Sequence, residues 1–178
     1  EHFMTAPHKR GIRMILCGSE ERGLLGSKAW VRDYPELAEK CVLNVNLDMI
    51  GSIMGKFHAC VTGEEKLVHY IEYFANEMGF GIGVRQGVYS SDYSPMADVG
   101  IPAISFARLA ANNTGTIHNS YDTLRLMKAE HMASYIAFIQ RFTDRMANAV
   151  HMPVKREMPD NMKERLDEYL GRKRPKEA

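Results

Sequence analysis

Short apolar runs alternate with segments whose apolar residues recur at three- and four-residue spacing. No other feature of this sequence restricts its fold as much. Residues 12–17, 41–47, 57–62 and 102–107 are runs of strand length, and 57–62 is the weakest of them. Between the first two lies 21–33, with Leu24, Leu25, Ala29 and Trp30 on a helical spacing and Pro35 just beyond. Residues 64–78 place Leu67, Ile71, Phe74, Ala75 and Met78 on one stripe, with Gly79 as a stop. Residues 128–149 give the longest helix, with Met132, Tyr135, Ile136, Ile139, Phe142 and Met146 toward the core. The alternation predicts an α/β fold, a three-layer sandwich whose mostly parallel or mixed central sheet is flanked by helices. Residues 1–150 make up this layered unit. Residues 151–178 read as a polar linker, a short amphipathic helix over 161–170 and a solvated basic tail from Arg172. Asp160 is the expected N-cap of that helix, and Met162, Leu166, Tyr169 and Leu170 share one side.

Composition narrows the function. In a chain of 178 residues, 45% apolar and 25% charged residues suit a packed core and exclude a disordered tail. Lysine and arginine exceed aspartate and glutamate by 23 − 22 = +1, which gives no electrostatic case for a nucleic-acid partner. No apolar run approaches the ~18–20 residues of a membrane helix, so no membrane association is expected. Cys17, Cys41 and Cys60 are an odd, scattered set and form no CxxC pair. They predict no disulfide framework, and the compartment stays open. The alternating glycines of 79–83 do not open a helix after a strand, so they read as a turn and not as a phosphate loop.

In an open α/β sheet, ligands bind beyond the carboxyl ends of the strands. Glu20 and Glu21 follow the run 12–17, Asp48 follows 41–47, and a long loop with His118 and Asp122 follows 102–107. Carboxylates and an imidazole delivered to one rim suit a zinc ion. The adjacent pair Glu20-Glu21 can divide its work, one residue binding metal and the other taking a proton from metal-bound water. The same pair also suits a helix N-terminus, where it complements the macrodipole. Asp48 fits a ligand or a turn residue, and Asp122 fits an imidazole-orienting partner or a cap. The other six histidines have no HExxH pattern, and there is no GxSxG elbow.

Taken together, four segments resemble the co-catalytic zinc aminopeptidases of the bacterial leucyl aminopeptidase type. Glutamate carboxypeptidase, transferrin receptor and glutaminyl cyclase are relatives of that family. The segments are 12–27 around Glu20-Glu21, then Asn46-Leu47-Asp48-Met49-Ile50-Gly51, then Ser91-Asp92-Tyr93 with Gly100-Ile101-Pro102-Ala103, and last Ile117-His118-Asn119-Ser120-Tyr121-Asp122-Thr123. The resemblance implies hydrolysis of N-terminal residues from a peptide substrate. In that scheme Glu20 is the general base or acid, Glu21 and His118 bind one zinc, and Asp48 binds the other. Tyr93 stands where many relatives carry histidine. Asp92 and Asp122 are expected behind the ligands, and Arg108 and the loop 108–117 along the substrate pocket.

The family pattern also carries a histidine ligand and a bridging aspartate well upstream of the Glu-Glu pair. Only 19 residues precede Glu20 here, and neither His2 nor His8 fits those roles. The chain therefore resembles the C-terminal part of a catalytic domain. It is expected to be inactive alone, to hold little or none of the two zinc ions of a complete site, and to expose a sheet edge that a homo-oligomer would cover. A non-catalytic homologue that kept the fold and a glutaminyl-cyclase-like acyltransferase are the competing readings.

Overall fold

The computed structural model describes residues 2–110 and 117–172. Residues 111–116, within the loop expected along the substrate pocket, lie outside the described residues, as do Glu1 and 173–178. In chain order the elements are α1 (His2–Thr5), a 3₁₀ turn (Glu20–Arg22), α2 (Leu25–Asp33), α3 (Pro35–Lys40), β1 (Asn44–Leu47), β2 (Lys56–Thr62), α4 (Glu65–Glu77), β3 (Gly83–Gln86), α5 (Ser94–Asp98), β4 (Ala103–Leu109), a second 3₁₀ turn (Leu124–Leu126), α6 (Ala129–Asn148) and α7 (Asp160–Tyr169).

The four strands form one mixed sheet in the order β1-β4-β2-β3. β4 runs parallel to β1, with Asn44 opposite Ala103 and Leu47 opposite Phe106. It runs antiparallel to β2 over seven pairs, from Lys56 with Leu109 to Thr62 with Ala103. β3 adds parallel to β2. Among the described residues, no further strand pairs with the outer edges of β1 and β3.

Alternation along the strands gives the sheet two unlike faces. Phe57, Ala59 and Val61 of β2 and Ile104 and Phe106 of β4 point into an apolar core closed by α4 and α6. There Leu67, Ile71 and Phe74 of α4 meet Tyr135, Phe138, Ile139 and Phe142 of α6. Their rings stack or meet edge to face, as with Phe57 on Tyr135 at 4.1 Å and Phe74 on Phe138 at 5.3 Å between centroids. The other face is small and polar, with Cys60, Thr62, Ala103 and Ser105 buried. Over it pack Tyr93, Ala97 of α5, and Met158, Met162 and Leu166 from the C-terminal segment. A third cluster joins Ala38 of α3 to Met96 and Ile101. The layered α/β architecture read from the sequence is therefore present, with helices on both faces of a mixed sheet.

Several expectations are corrected. Residues 12–17 form no strand. The chain there is extended but pairs with nothing: among the described residues, none of the backbone groups of 11–17 makes a backbone hydrogen bond. Ile15 tucks against the third cluster, whereas Met14 and Leu16 are 82% and 91% exposed. A strand pattern without a neighbouring strand stays an open segment, because pairing supplies what the pattern only permits. The helix expected from residue 21 starts at Leu25, since Leu24 lies at φ 60° and separates it from the 3₁₀ turn. Pro35 opens a further helix at its N1 position. Part of the glycine-rich turn becomes β3, and Ser94–Asp98 becomes a short helix. Asp160 is the first residue of α7, with Pro159 in the capping position. Arg172, at the start of the basic tail, is exposed, and its guanidinium pairs with Asp98 and Asp167 at 2.5 and 2.8 Å. No described helix is long and apolar enough to cross a membrane.

Phe142 is fully buried between Phe74, Phe106 and Tyr70. Phe142→Ala removes ring contacts with α4 and with β4, and is expected to cost about 3–5 kcal/mol, read as a lower urea midpoint at unchanged m-value.

Candidate active site

Three stretches of chain bring polar groups to the end of the sheet where β1 and β4 terminate. Glu20 and Glu21 lie in the first 3₁₀ turn. Asp48 is the residue after β1, and its N–H donates to Phe106 O at 3.0 Å, one step beyond the ladder. His118 sits in the loop after β4, in a turn closed by Asp122 N–H to Asn119 O (3.1 Å) and Tyr121 N–H to Asn119 Oδ1 (2.9 Å). Across this gap His118 Nδ1 lies 3.0 Å from Glu21 Oε2, both side chains well exposed.

Glu20 shares the same electrostatic environment. Its carboxyl is held above the usual carboxylate range, first by burial and then by the charges of Glu21, Asp48 and Asp92, with His118 acting in the opposite sense. A carboxyl group biased toward the protonated form is suited to accept a proton.

Asp48 and Asp92 are each fixed by a buried serine. Ser91 Oγ donates to Asp48 Oδ2 at 2.7 Å and accepts from Asn46 Nδ2 at 2.8 Å. The same amide reaches Ser105 Oγ at 3.1 Å on the neighbouring strand. Ser27 Oγ of α2 donates to Asp92 Oδ1 at 2.6 Å. The Cys17 thiol also bonds to Asp92, and burial together with that carboxylate pushes it up to about 11. Ser27, Ser91 and Ser105 are all buried. None of the three serines, nor Asn46, was assigned a role from the sequence. The available signal was two asparagines at alternate positions of an otherwise apolar strand, where a buried amide needs a partner.

The remaining sequence-predicted residues are placed differently. Tyr93 is wholly buried; its hydroxyl accepts from Tyr89 N–H at 2.5 Å and lies 3.2 Å from Thr62 Oγ1, and burial raises its pKa well above the phenol range. That side chain belongs to the small, polar face of the sheet and not to the rim. Arg108 donates to Met54 O at 3.1 Å and lies over the Tyr135 ring, so its guanidinium is engaged with the protein's own loop and core. Asp122 is exposed, and the carboxylate against His118 is that of Glu21.

Backbone conformation marks the same place. The four described non-glycine residues in the left-handed region are Ser19 (φ 56°), Leu24 (φ 60°), Met49 (φ 53°) and His118 (φ 63°). They flank the Glu-Glu turn, follow Asp48, or are a candidate ligand themselves. Such conformations cost on the order of 1–3 kcal/mol each and concentrate at functional sites.

The donor types suit zinc, but the donor number does not. Among the described residues no three of His, Cys, Asp and Glu converge into a group that could hold an ion. A catalytic zinc takes three protein ligands, and the Glu21–His118 pair supplies two.

Comparison with known proteins shows the family and the fold. The family described as Peptidase family M28 matches residues 2–143. Aminopeptidase YwaD of Bacillus subtilis is 33% identical over 109 residues, which are 57% of this chain and 24% of that protein. Among solved structures, the Bacillus subtilis zinc aminopeptidase BSAP superposes with a TM-score of 0.70 at 21% identity, over 88% of this chain and 40% of its own. The Legionella pneumophila aminopeptidase LapA gives 0.70 at 23% identity, over 83% and 42%. Porphyromonas gingivalis glutaminyl cyclase gives 0.57 at 21% identity, over 72% and 48%. The chain thus spans less than half the length of each of these relatives.

The Asp92–Cys17 contact has a measurable consequence. Only the thiolate is alkylated, so a raised pKa slows reaction below that pH. Iodoacetamide labelling of Cys17, followed by peptide mass spectrometry, is expected to climb with pH toward an inflection near 11. Asp92→Asn removes one of the groups that raise it, so the inflection should move to lower pH and labelling at pH 8 should quicken.

Proposed function

Because the chain belongs to Peptidase family M28, we propose that it forms part of a metal-dependent aminopeptidase that removes N-terminal residues from peptides. The observation that carries this reading is the meeting of Glu20, Glu21, Asp48 and His118, from three separate stretches of chain, at one sheet end. A scaffold has no need to hold three carboxylates there against their mutual repulsion.

In this reading Glu20 is the general base. One of its carboxylate oxygens takes a proton from the water that attacks the peptide carbonyl and returns it to the departing amine nitrogen. The burial that raises its pKa favours that uptake. Glu21 and His118 would hold one zinc and Asp48 a second, with Ser91 fixing the Asp48 carboxylate. Bound zinc supplies polarisation of a carbonyl and acidification of water. The described residues make only part of such a site, so the chain taken alone is proposed to bind zinc poorly and to be inactive.

Two measurements test this. Metal content of the purified 178-residue chain, after dialysis against zinc, is expected to be near zero, with no cleavage of aminoacyl substrates. About two zinc per chain, or robust cleavage, would overturn the partial-site reading. In a protein that carries this sequence with a complete site, Glu20→Gln should lower kcat by roughly 10²–10⁴-fold with unchanged zinc content. Turnover at the parent rate would remove Glu20 from the chemistry.

A further inference from the structure

The family match ends at residue 143, yet the chain after it is docked beneath the candidate site. Met158, Met162 and Leu166 are buried against Tyr93, Ala97 and Ala103, with Val88 and Tyr89 packed beside them. At the far end of α7, the hydroxyl of Tyr169 shares a 2.7 Å hydrogen bond with Ser90 Oγ. Ser90 immediately precedes the two residues that reach the rim, Ser91 on Asp48 and Asp92 on Ser27. The segment 87–93 is otherwise held from inside the fold, by Gly87 N–H to Val61 O (2.9 Å), Thr62 Oγ1 to Gly87 O (2.6 Å) and Tyr89 N–H to Tyr93 (2.5 Å). Its outer side is held by α7, which Arg172 anchors to Asp98 of α5.

We infer that α7 is a positioning element for the site, in which Tyr169 holds Ser90 and thereby keeps Ser91 in register with Asp48. The Asn46–Ser91–Asp48 relay is short and directional. A loosened Ser90 lets the Ser91 hydroxyl turn away, and the Asp48 carboxylate then loses a buried donor that orients it. The functional meaning of this brace rests on Asp48 belonging to the site. The mechanical coupling does not, so the two can fail separately.

The test uses the full chain without metal. Tyr169→Phe keeps the ring and deletes the hydroxyl. By hydrogen exchange, the amides of Tyr89 and Ser94, bonded to the Tyr93 hydroxyl and to Ser91 O, should open roughly two- to tenfold more often, the factor that one net hydrogen bond represents. The amides of β2 and β4 should be unchanged, and the side-chain amide resonance of Asn46 should shift. Ser90→Ala should reproduce both effects, and the double variant should show no more than either single one, because the two groups act as one contact. Unchanged exchange at Tyr89 and Ser94, an unmoved Asn46 signal, or additive effects of the two substitutions would each overturn the coupling. So would a uniform rise across β2 and β4, since that reports only lost stability. Any of these outcomes leaves the peptidase reading standing, and two zinc per chain, robust cleavage or full turnover by Glu20→Gln leaves the brace standing.

Discussion

Everything in this fold hangs on the pairing of β4. The strand is flanked on both edges, parallel to β1 and antiparallel to β2, and its first five residues are buried. Its sequence Ala-Ile-Ser-Phe-Ala answers two different demands on alternate positions. Ile104 and Phe106 fill the aromatic core under α4 and α6. Ala103 and Ser105 stay small because a loop and a helix must pass close over the opposite face. The site inherits its position from this strand. Asp48 is tied to Phe106 O, and Asn46 lies level with Ser105 and is bonded to it. A shift of β4 by one residue would exchange the faces and put the phenylalanine where the polar relay now runs.

The polar relay shows how a soft rim is made rigid. Asp48 and His118 lie outside regular elements, Asp48 just past the end of β1, and two of the candidate groups are well exposed. Precision comes from behind. Ser91, Ser27 and Ser105 are buried, and a buried hydroxyl left without a partner costs about 1–3 kcal/mol. Ser91 and Ser27 therefore hold their carboxylates in one place, and Ser105 accepts from the Asn46 amide. The arrangement couples the rim to α2, to β1 and β4, and to the loop under α7, so the geometry of the carboxylates depends on packing some distance from them.

Much of this was legible in the sequence, and the failures have a common cause. Helices α4 and α6 announce themselves through long stripes, and β2 and β4 through apolar runs that find neighbours on both sides. Residues 12–17 carry the same strand signal but have no partner strand among the described residues, so the local pattern is not realised. β3 escaped notice because four residues led by a glycine give no pattern to read, and its existence is decided by the edge of β2. The rim residues could be named because a glutamate pair, an aspartate and a histidine follow successive apolar runs. Their serine partners could not, since a serine in a loop and a serine bonded to a carboxylate look alike in one dimension. Tyr93 fails for a related reason: next to Asp92 it looks like a rim residue, yet its phenol turns inward to Thr62 and Cys60.

The strained turns and the crowded carboxylates point the same way. Folding gains nothing from placing Ser19, Leu24, Met49 and His118 in the left-handed region, where each side chain opposes its own backbone. Nor does it gain from lifting the Glu20 carboxyl above its ordinary range beside three other carboxylates. Both features are costs at the same few residues, and among the described residues the basic side chain drawn against Glu21 is the exposed imidazole of His118. The packed sheet behind supplies stability enough to bear such costs locally. A cation at this rim would offset the repulsion and give the strained turns a purpose. That balance is the physical reason to look for the function at this end of the sheet, and to expect the site to be complete only where further ligands meet Glu21, Asp48 and His118.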